Sequence, residues 1–255
     1  MSYISPSVLR DFITCPRFFQ YRWLFQLPLV PSIESQFERS AQERINNFTF
    51  GFFSNLKTQW SEENVYTALL DINCLFKSYL YTHLDIYANV KDQNTQELDE
   101  KVFTLLLWLI LQLSDKNPEH EKMKSKVCPI FINDLIQAPN LRLRGRPSAV
   151  FLYPNNNTLI FIQSYHQVYP HTSDFDILQA SMYARILTEM GLRVKHFLSV
   201  NYSTMALIFR EFNQKDFNDL DEFLLHFQSC LEEREFIPPK LPPCPRCEFI
   251  KLCRN

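Results

Sequence analysis

Glycine is scarce in this chain. Gly51, Gly145 and Gly191 are the only three in 255 residues, so there is no glycine-rich loop whose successive N–H groups could wrap a phosphate. Long apolar runs are missing too. The longest, Leu105-Leu-Leu-Trp-Leu-Ile-Leu111, falls well short of the ~20 residues a membrane-crossing helix requires and reads as a buried helix. Neither sign of charge dominates. Lys and Arg total 26 against 28 Asp and Glu, and a net charge of −2 argues against a protein that coats nucleic acid indiscriminately, while leaving local patches open. No signal peptide is evident, and the seven cysteines are an odd number. Both features point to a reducing, cytoplasm-like intracellular compartment in which thiols serve metals.

What remains is an ordinary globular composition, 46% apolar and 21% charged, long enough for one large core or two modest lobes. Ser5-Pro6 starts a helix, with the serine hydroxyl as cap and proline pre-set at the first helical position. Pro16 disfavours helical geometry at Cys15 and opens a second helix to about Phe25, leaving Cys15 at a helix–helix corner. Helical spacing then covers Ile33 to Phe53, Glu62 to Tyr87 and Thr95 to Leu113. From Val127 the period changes. Val127–Ile132, Leu141–Leu152 and Thr158–Gln163 read as strands, with Pro154–Asn157 as the turn between the last two. A helix from Asp176 to Met190 ends at Gly191. Strands near Arg193–Asn201 and Met205–Phe212 follow, then a helix from Gln214 to about Glu235. The fold class is α/β: a mixed central sheet with flanking helices and a helical insertion.

Chemistry concentrates at the tips. Cys244, Cys247 and Cys253, spaced x2 and x5 near the C-terminus, suit convergence on one metal ion or cluster and require a fourth ligand. Cys15 is the best candidate. Spacing alone fits structural zinc as well as a four-iron cluster. Cys74, Cys128 and Cys230 lie in or beside apolar runs and read as small buried hydrophobes.

The N-terminal Ser-x-Ser-x-Leu-x-x-Phe-x-x-Cys-Pro-Arg-x-Phe-x-Tyr-Arg from Ser5 to Arg22, paired with Cys-x2-Cys-x5-Cys, resembles the iron–sulfur branch of the RecB-like PD-(D/E)XK nucleases. That branch includes the CRISPR-associated RecB-like exonucleases and the AddB nuclease module. The resemblance implies a restriction-endonuclease-like sheet and a 4Fe-4S cluster at Cys15, Cys244, Cys247 and Cys253 clasping the termini. It divides the chain into N-terminal clasp helices (1–28), a helical insertion (29–120), a nuclease core (121–236) and a C-terminal cysteine segment (237–255). Strand–strand–strand–helix–strand is the order of that core.

Phosphodiester hydrolysis on this fold needs carboxylates around magnesium or manganese, and a lysine near the nucleophile. The resemblance assigns the reacting positions to Ser148, in Gly145-Arg-Pro-Ser148, and to Gln163 and Tyr165, in Leu159-Ile-Phe-Ile-Gln-Ser-Tyr165. A hydroxyl, an amide and a phenol cannot replace two carboxylates around a dication, so the metal site reads as erased. Gln179-Ala-Ser-Met-Tyr183 matches the Gln-x-x-x-Tyr helix motif downstream and supports that alignment. The family's helical histidine has no counterpart between Gln36 and Phe53, where Glu43 is the nearest acid.

Asp174 and Asp176, with His166 and His171 close by, form the only local carboxylate–imidazole collection; the ordinary reading has Asp174 or Ser173 capping the next helix. In Leu141-Arg-Leu-Arg-Gly-Arg146 the strand period puts Arg142, Arg144 and Arg146 on one face, a seat for a phosphate backbone or a salt-bridged surface. Arg10, Arg17 and Arg22 would add basic groups beside a metal that joined the tips. The leading expectation is a catalytically silent nuclease-like protein that binds DNA, single strands included, or serves with protein partners as a structural subunit in DNA processing. One rival is an active single-stranded DNA exonuclease using the displaced acids with magnesium or manganese. Another is a protein-binding scaffold using the helix around Leu105 to Leu111.

Overall fold

The structure is a computed structural model, and it describes residues 3–28, 33–59, 128–153, 157–164, 172–202, 206–237, 249 and 253. The expected helices at 62–87 and 95–113, with Cys74 and the Leu105–Leu111 run, lie outside the described residues. So do Tyr165, His166, His171, Cys244 and Cys247.

Five strands form the central sheet: β1 (Cys128–Ile132), β4 (Ala149–Tyr153), β5 (Asn157–Ser164), β6 (Arg193–Asn201) and β7 (Ala206–Glu211), side by side in that order. The β5–β6 pair is parallel and the other three pairs are antiparallel, giving a mostly antiparallel mixed sheet. The parallel step needs a crossover, supplied by helix α4 (Thr172–Glu189), which ends in a turn through Gly191 at φ 84°. Separately, β2 (Ile136–Ala138) and β3 (Leu143–Gly145) pair antiparallel as a two-stranded sheet.

Register fixes which side chains face which layer. One face of the large sheet carries Val150, Ile160, Ile162 and Phe197, packed with Ala180, Met182, Ala184, Ile186 and Leu187 of α4 and Leu220 of α5 (Gln214–Glu233). Helix α4 also meets β2, β3 and α1 (Pro6–Thr14) on its far side. It is enclosed, so its apolar residues run all round it. The opposite sheet face meets α3 (Ile33–Gln59), whose Ala41, Ile45, Thr49 and Phe53 are all buried at four-residue spacing. The Phe53 ring sits edge-on to Phe151, centroids 4.9 Å apart, and also meets Phe161.

The N-terminal corner forms as its prolines dictate. Helix α1 ends at Thr14, Cys15 is extended (φ −166°, ψ 113°), and Pro16 begins α2 (Pro16–Phe19), which runs on as a π-helical turn to Leu24. Phe12 and Phe19 insert edge-on against Phe227 of α5, centroids 4.9 and 5.2 Å away. The corner is thereby fixed to the C-terminal helix.

Several expectations fail at this level. The Ser5 side chain does not cap α1; its hydroxyl meets that of Ser7 at 2.9 Å instead. The single strand expected at Leu141–Leu152 is two strands in different sheets, broken across Arg146–Ser148, because Pro147 has no N–H to give to a ladder. Helix α4 starts at Thr172, so Asp174 lies within its first turn rather than at its cap. Cys230 is half-buried, its sulfur 3.8 Å from His226 Nε2.

Candidate functional site

Of the three positions assigned to the reacting groups, Ser148 and Gln163 come together at one end of β4 and β5, and Tyr165 lies outside the described residues. The Ser148 hydroxyl accepts a hydrogen bond from the Gln163 N–H at 3.0 Å. The Gln163 side chain is buried and hydrogen-bonded through both its amide nitrogen and its amide oxygen. Its amide nitrogen donates to Thr49 Oγ1 of α3 at 2.8 Å, and its amide oxygen accepts from the Tyr202 hydroxyl at 2.9 Å. The Gln42 amide, one helical turn or two from Thr49, reaches the Gln163 carbonyl at 3.3 Å and Asn46 at 3.0 Å. Every side chain in this set is neutral. Burial drives the Tyr202 phenol far above its ordinary range, so it stays protonated. A hydroxyl–amide–hydroxyl relay of this kind satisfies its own donors and acceptors and offers a dication no formal negative charge.

Thr49, Gln42 and Tyr202 were not anticipated. The stripe Ala41, Ile45, Thr49, Phe53 does carry a signal, since one hydroxyl in an otherwise apolar row asks for a buried partner. Nothing local marks Tyr202. Glu43, the nearest acid in the helix, is exposed and takes no part.

The displaced acids do not rebuild this pocket. Asp176 is buried and accepts from the Ser199 hydroxyl at 2.9 Å. Ile162 pairs with Ser199 and Gln163 with Val200, so Ser199 and Gln163 point to opposite faces of the sheet. The Asp176 carboxylate therefore lies across the sheet from the Gln163 amide. Burial raises it to about 6, with the Ser199 bond acting the other way. Asp174 is exposed.

The Gln-x-x-x-Tyr pair on α4 has a geometric role. Gln179 Nε2 donates to the Tyr183 hydroxyl at 3.2 Å, and that hydroxyl donates to the Arg146 carbonyl at 3.0 Å. The Tyr183 ring lies against Gly145, where a Cβ would collide with it. Burial pushes the Tyr183 phenol up to about 12 despite both bonds. This pair holds the segment carrying the arginines. Arg142, Arg144 and Arg146 are exposed and alternate with buried Leu143, Gly145 and Pro147, as the period of two requires. Only Arg144 belongs to a strand, however. Arg142 sits in the preceding turn at φ 53°, and Arg146 follows β3.

At the tips, Cys15 is buried at its corner, and Phe249 opens a turn in which the Cys253 N–H reaches the Phe249 carbonyl at 3.1 Å. The Phe249 ring is 5.3 Å from Phe18 and 5.4 Å from Tyr21, centre to centre. Tyr21 shares a hydrogen bond with the Cys253 thiol and feels both cysteines. Its pKa is raised, first by burial, then by Cys253, with a smaller contribution from Cys15 and an opposing one from Arg17. The Cys253 thiol thus bonds a tyrosine of the N-terminal corner, while the Cys15 thiol acts on that tyrosine only through its charge. Their chemistry suits a thiophilic metal; among the described residues no group of three ligating side chains occurs. The expected free basic cluster is reduced, because Arg22 donates to Asp11 Oδ2 at 2.7 Å and Arg10 lies 3.9 Å from Oδ1. Trp23 donates to the same Asp11 oxygen at 2.8 Å.

No described helix is long and apolar enough to cross a membrane. No protein-family model matches the sequence, and no curated protein matches it. Among solved structures, one similar chain is a "Putative exonuclease" from Eubacterium rectale. It has a TM-score of 0.48 and 10% identity, over 99% of this chain and 87% of that one.

Proposed function

We propose that this chain is a nuclease-fold protein of the RecB-like kind whose hydrolytic pocket has become a neutral hydrogen-bonded plug, and that it acts by binding DNA or as a structural subunit in DNA processing rather than by cutting. The observation that carries this reading is the Gln163 side chain. Its amide is used up by Thr49 and Tyr202 where a metal-binding carboxylate would be needed. The strand–strand–strand–helix–strand order of the large sheet and the meeting of Ser148 with Gln163 support the assignment of those positions. Cys15, Cys244, Cys247 and Cys253 would hold a 4Fe-4S cluster, or zinc in its place; such a centre supplies a covalent-strength tie between the chain tips.

The test is direct. Anaerobically purified protein is mixed with labelled single-stranded DNA in magnesium or manganese. Salt-sensitive binding without release of nucleotides is the expected result. Metal-dependent release that disappears in Asp174→Asn or Asp176→Asn would overturn the reading in favour of an active exonuclease. Absence of binding even at low salt would favour a protein-binding scaffold.

A further inference from the structure

The small sheet carries more than its arginines. The Ile4 N–H donates to the Arg142 carbonyl at 2.8 Å and the Arg144 N–H donates to the Ile4 carbonyl at 2.9 Å, so the N-terminal segment joins the free edge of β3 through one parallel bridge. Ile4 packs inward with Leu143. Tyr3, half-buried, stands beside Arg144, whose guanidinium lies 5.8 Å from the centre of the Tyr3 ring. Gln137, directly opposite Arg144 in the β2–β3 pairing, is exposed as well.

Among the described residues this face is left electrically unanswered. Among the described residues neither Arg142 nor Arg146 forms an ion pair, and Glu189, at the end of α4, accepts from the Asn140 side chain. Arg144 stands in β3, Arg142 in the turn before it and Arg146 just after it, all three exposed, so the guanidinium groups follow the chain as a row rather than closing into one anion pocket. A row suits a polyanion with a regular repeat, and planar guanidinium groups grip phosphate oxygens two at a time. The face is also rigid, because Tyr183 ties the Arg146 carbonyl to α4 from beneath.

We propose that the face formed by β2, β3 and the residues 3–5 bridged to its edge is a docking surface for single-stranded nucleic acid. Arg142, Arg144 and Arg146 contact successive phosphates, and the Tyr3 ring stacks on an unpaired base. This rests on the DNA-binding reading above and assigns it a place on the molecule. A tyrosine can stack only on a base that is out of the duplex, which is why the strand is single.

The experiment measures anisotropy of a labelled oligothymidine against salt for the wild-type chain, an R142A/R144A/R146A variant, Tyr3→Ala and Tyr3→Phe. Removing three phosphate contacts should reduce the slope of log affinity against log salt by about 2. Tyr3→Ala should weaken binding about tenfold with the slope unchanged, and Tyr3→Phe should restore it. The substituted arginines are exposed, so melting temperatures should stay level. Wild-type binding with an unchanged slope and affinity in the triple variant would overturn this placement alone, as would equal affinity for duplex of the same length. A wild-type chain that binds no oligonucleotide at low salt would overturn the DNA-binding reading with it.

Discussion

Among the described residues the Thr49 and Tyr202 hydroxyls bond only to the Gln163 amide, and this makes its replacement more costly than theirs. In Gln163→Leu the Thr49 and Tyr202 hydroxyls lose their shared partner, and stranding two buried polar groups should cost about 2–4 kcal/mol in urea unfolding. Tyr202→Phe removes one donor while Thr49 continues to serve the amide, so about 1 kcal/mol is expected. Near-equal losses would mean that the amide is not the centre of the network. Asp176 makes a different demand. Its carboxyl titrates at about 6 in the fold against 3.8 ordinarily, because burial disfavours the charge. Below both values the acid is protonated in folded and unfolded chains alike and costs nothing. As pH rises from about 4 through 6, the unfolded chain releases the proton first and the fold loses stability, on the order of 3 kcal/mol in full. Asp176→Asn keeps a partner for Ser199 without the charge. Its advantage over wild type should therefore grow across that interval and level off above it. Melting curves at pH 4, 6 and 8 that shift in parallel for the two proteins would contradict this.

At the scale of elements, the junction between α4 and β3 depends on one missing methyl group. A Cβ on residue 145 would meet the Tyr183 ring, and Pro6 stands close on another side, so Gly145→Ala should cost about 1–3 kcal/mol by overpacking. Tyr183→Phe, which keeps the ring and loses the hydroxyl's bonds to the Arg146 carbonyl and from the Gln179 amide, should cost about 1 kcal/mol. Urea unfolding of the two variants would rank them, and the opposite order would mean that the hydroxyl, not the close approach, fastens the small sheet. The sequence announced this contact only indirectly, through a motif spacing and a rare glycine. Strand β6 was legible to the residue, since a run of apolar and β-branched residues follows the helix-ending Gly191. The corner at Cys15 was legible because Pro16 acts on its own neighbour. Strand β2 was not, because Ile136-Gln137-Ala138 is too short to display a period. Residues 141–152 misled for a related reason. Apolar alternation passes through Pro147 without interruption while the hydrogen-bond ladder cannot. The pocket shows the same division. Ser148 and Gln163 could be located along the chain, but their partners Thr49 and Tyr202 come from other elements, and the separation of Asp176 from Gln163 depends on strand register.

For the molecule as a whole, the question is what joins its two ends. Phe12 and Phe19 anchor the N-terminal helices on Phe227 by apolar contact, independently of any thiol. Phe249 and Cys253 meet the same N-terminal unit through Phe18 and Tyr21. The aromatic contacts should therefore preserve the fold when a ligand is removed, while a metal shared by the tips would be lost. If the tips share a metal as proposed, then in Cys15→Ala iron or zinc content should fall to background with little change in far-ultraviolet circular dichroism, and the melting temperature should drop because that metal would no longer favour the folded state. Tyr21→Phe provides the finer comparison. It keeps the ring against Phe249 and deletes only the hydroxyl bonded to Cys253, an outer-shell change of the kind that lowers metal affinity about 10–100-fold. Metal should still be present after gentle purification of that variant, yet leave faster into a chelator. Full metal content in Cys15→Ala would place the fourth ligand elsewhere and leave the aromatic contacts as the only tie between the ends.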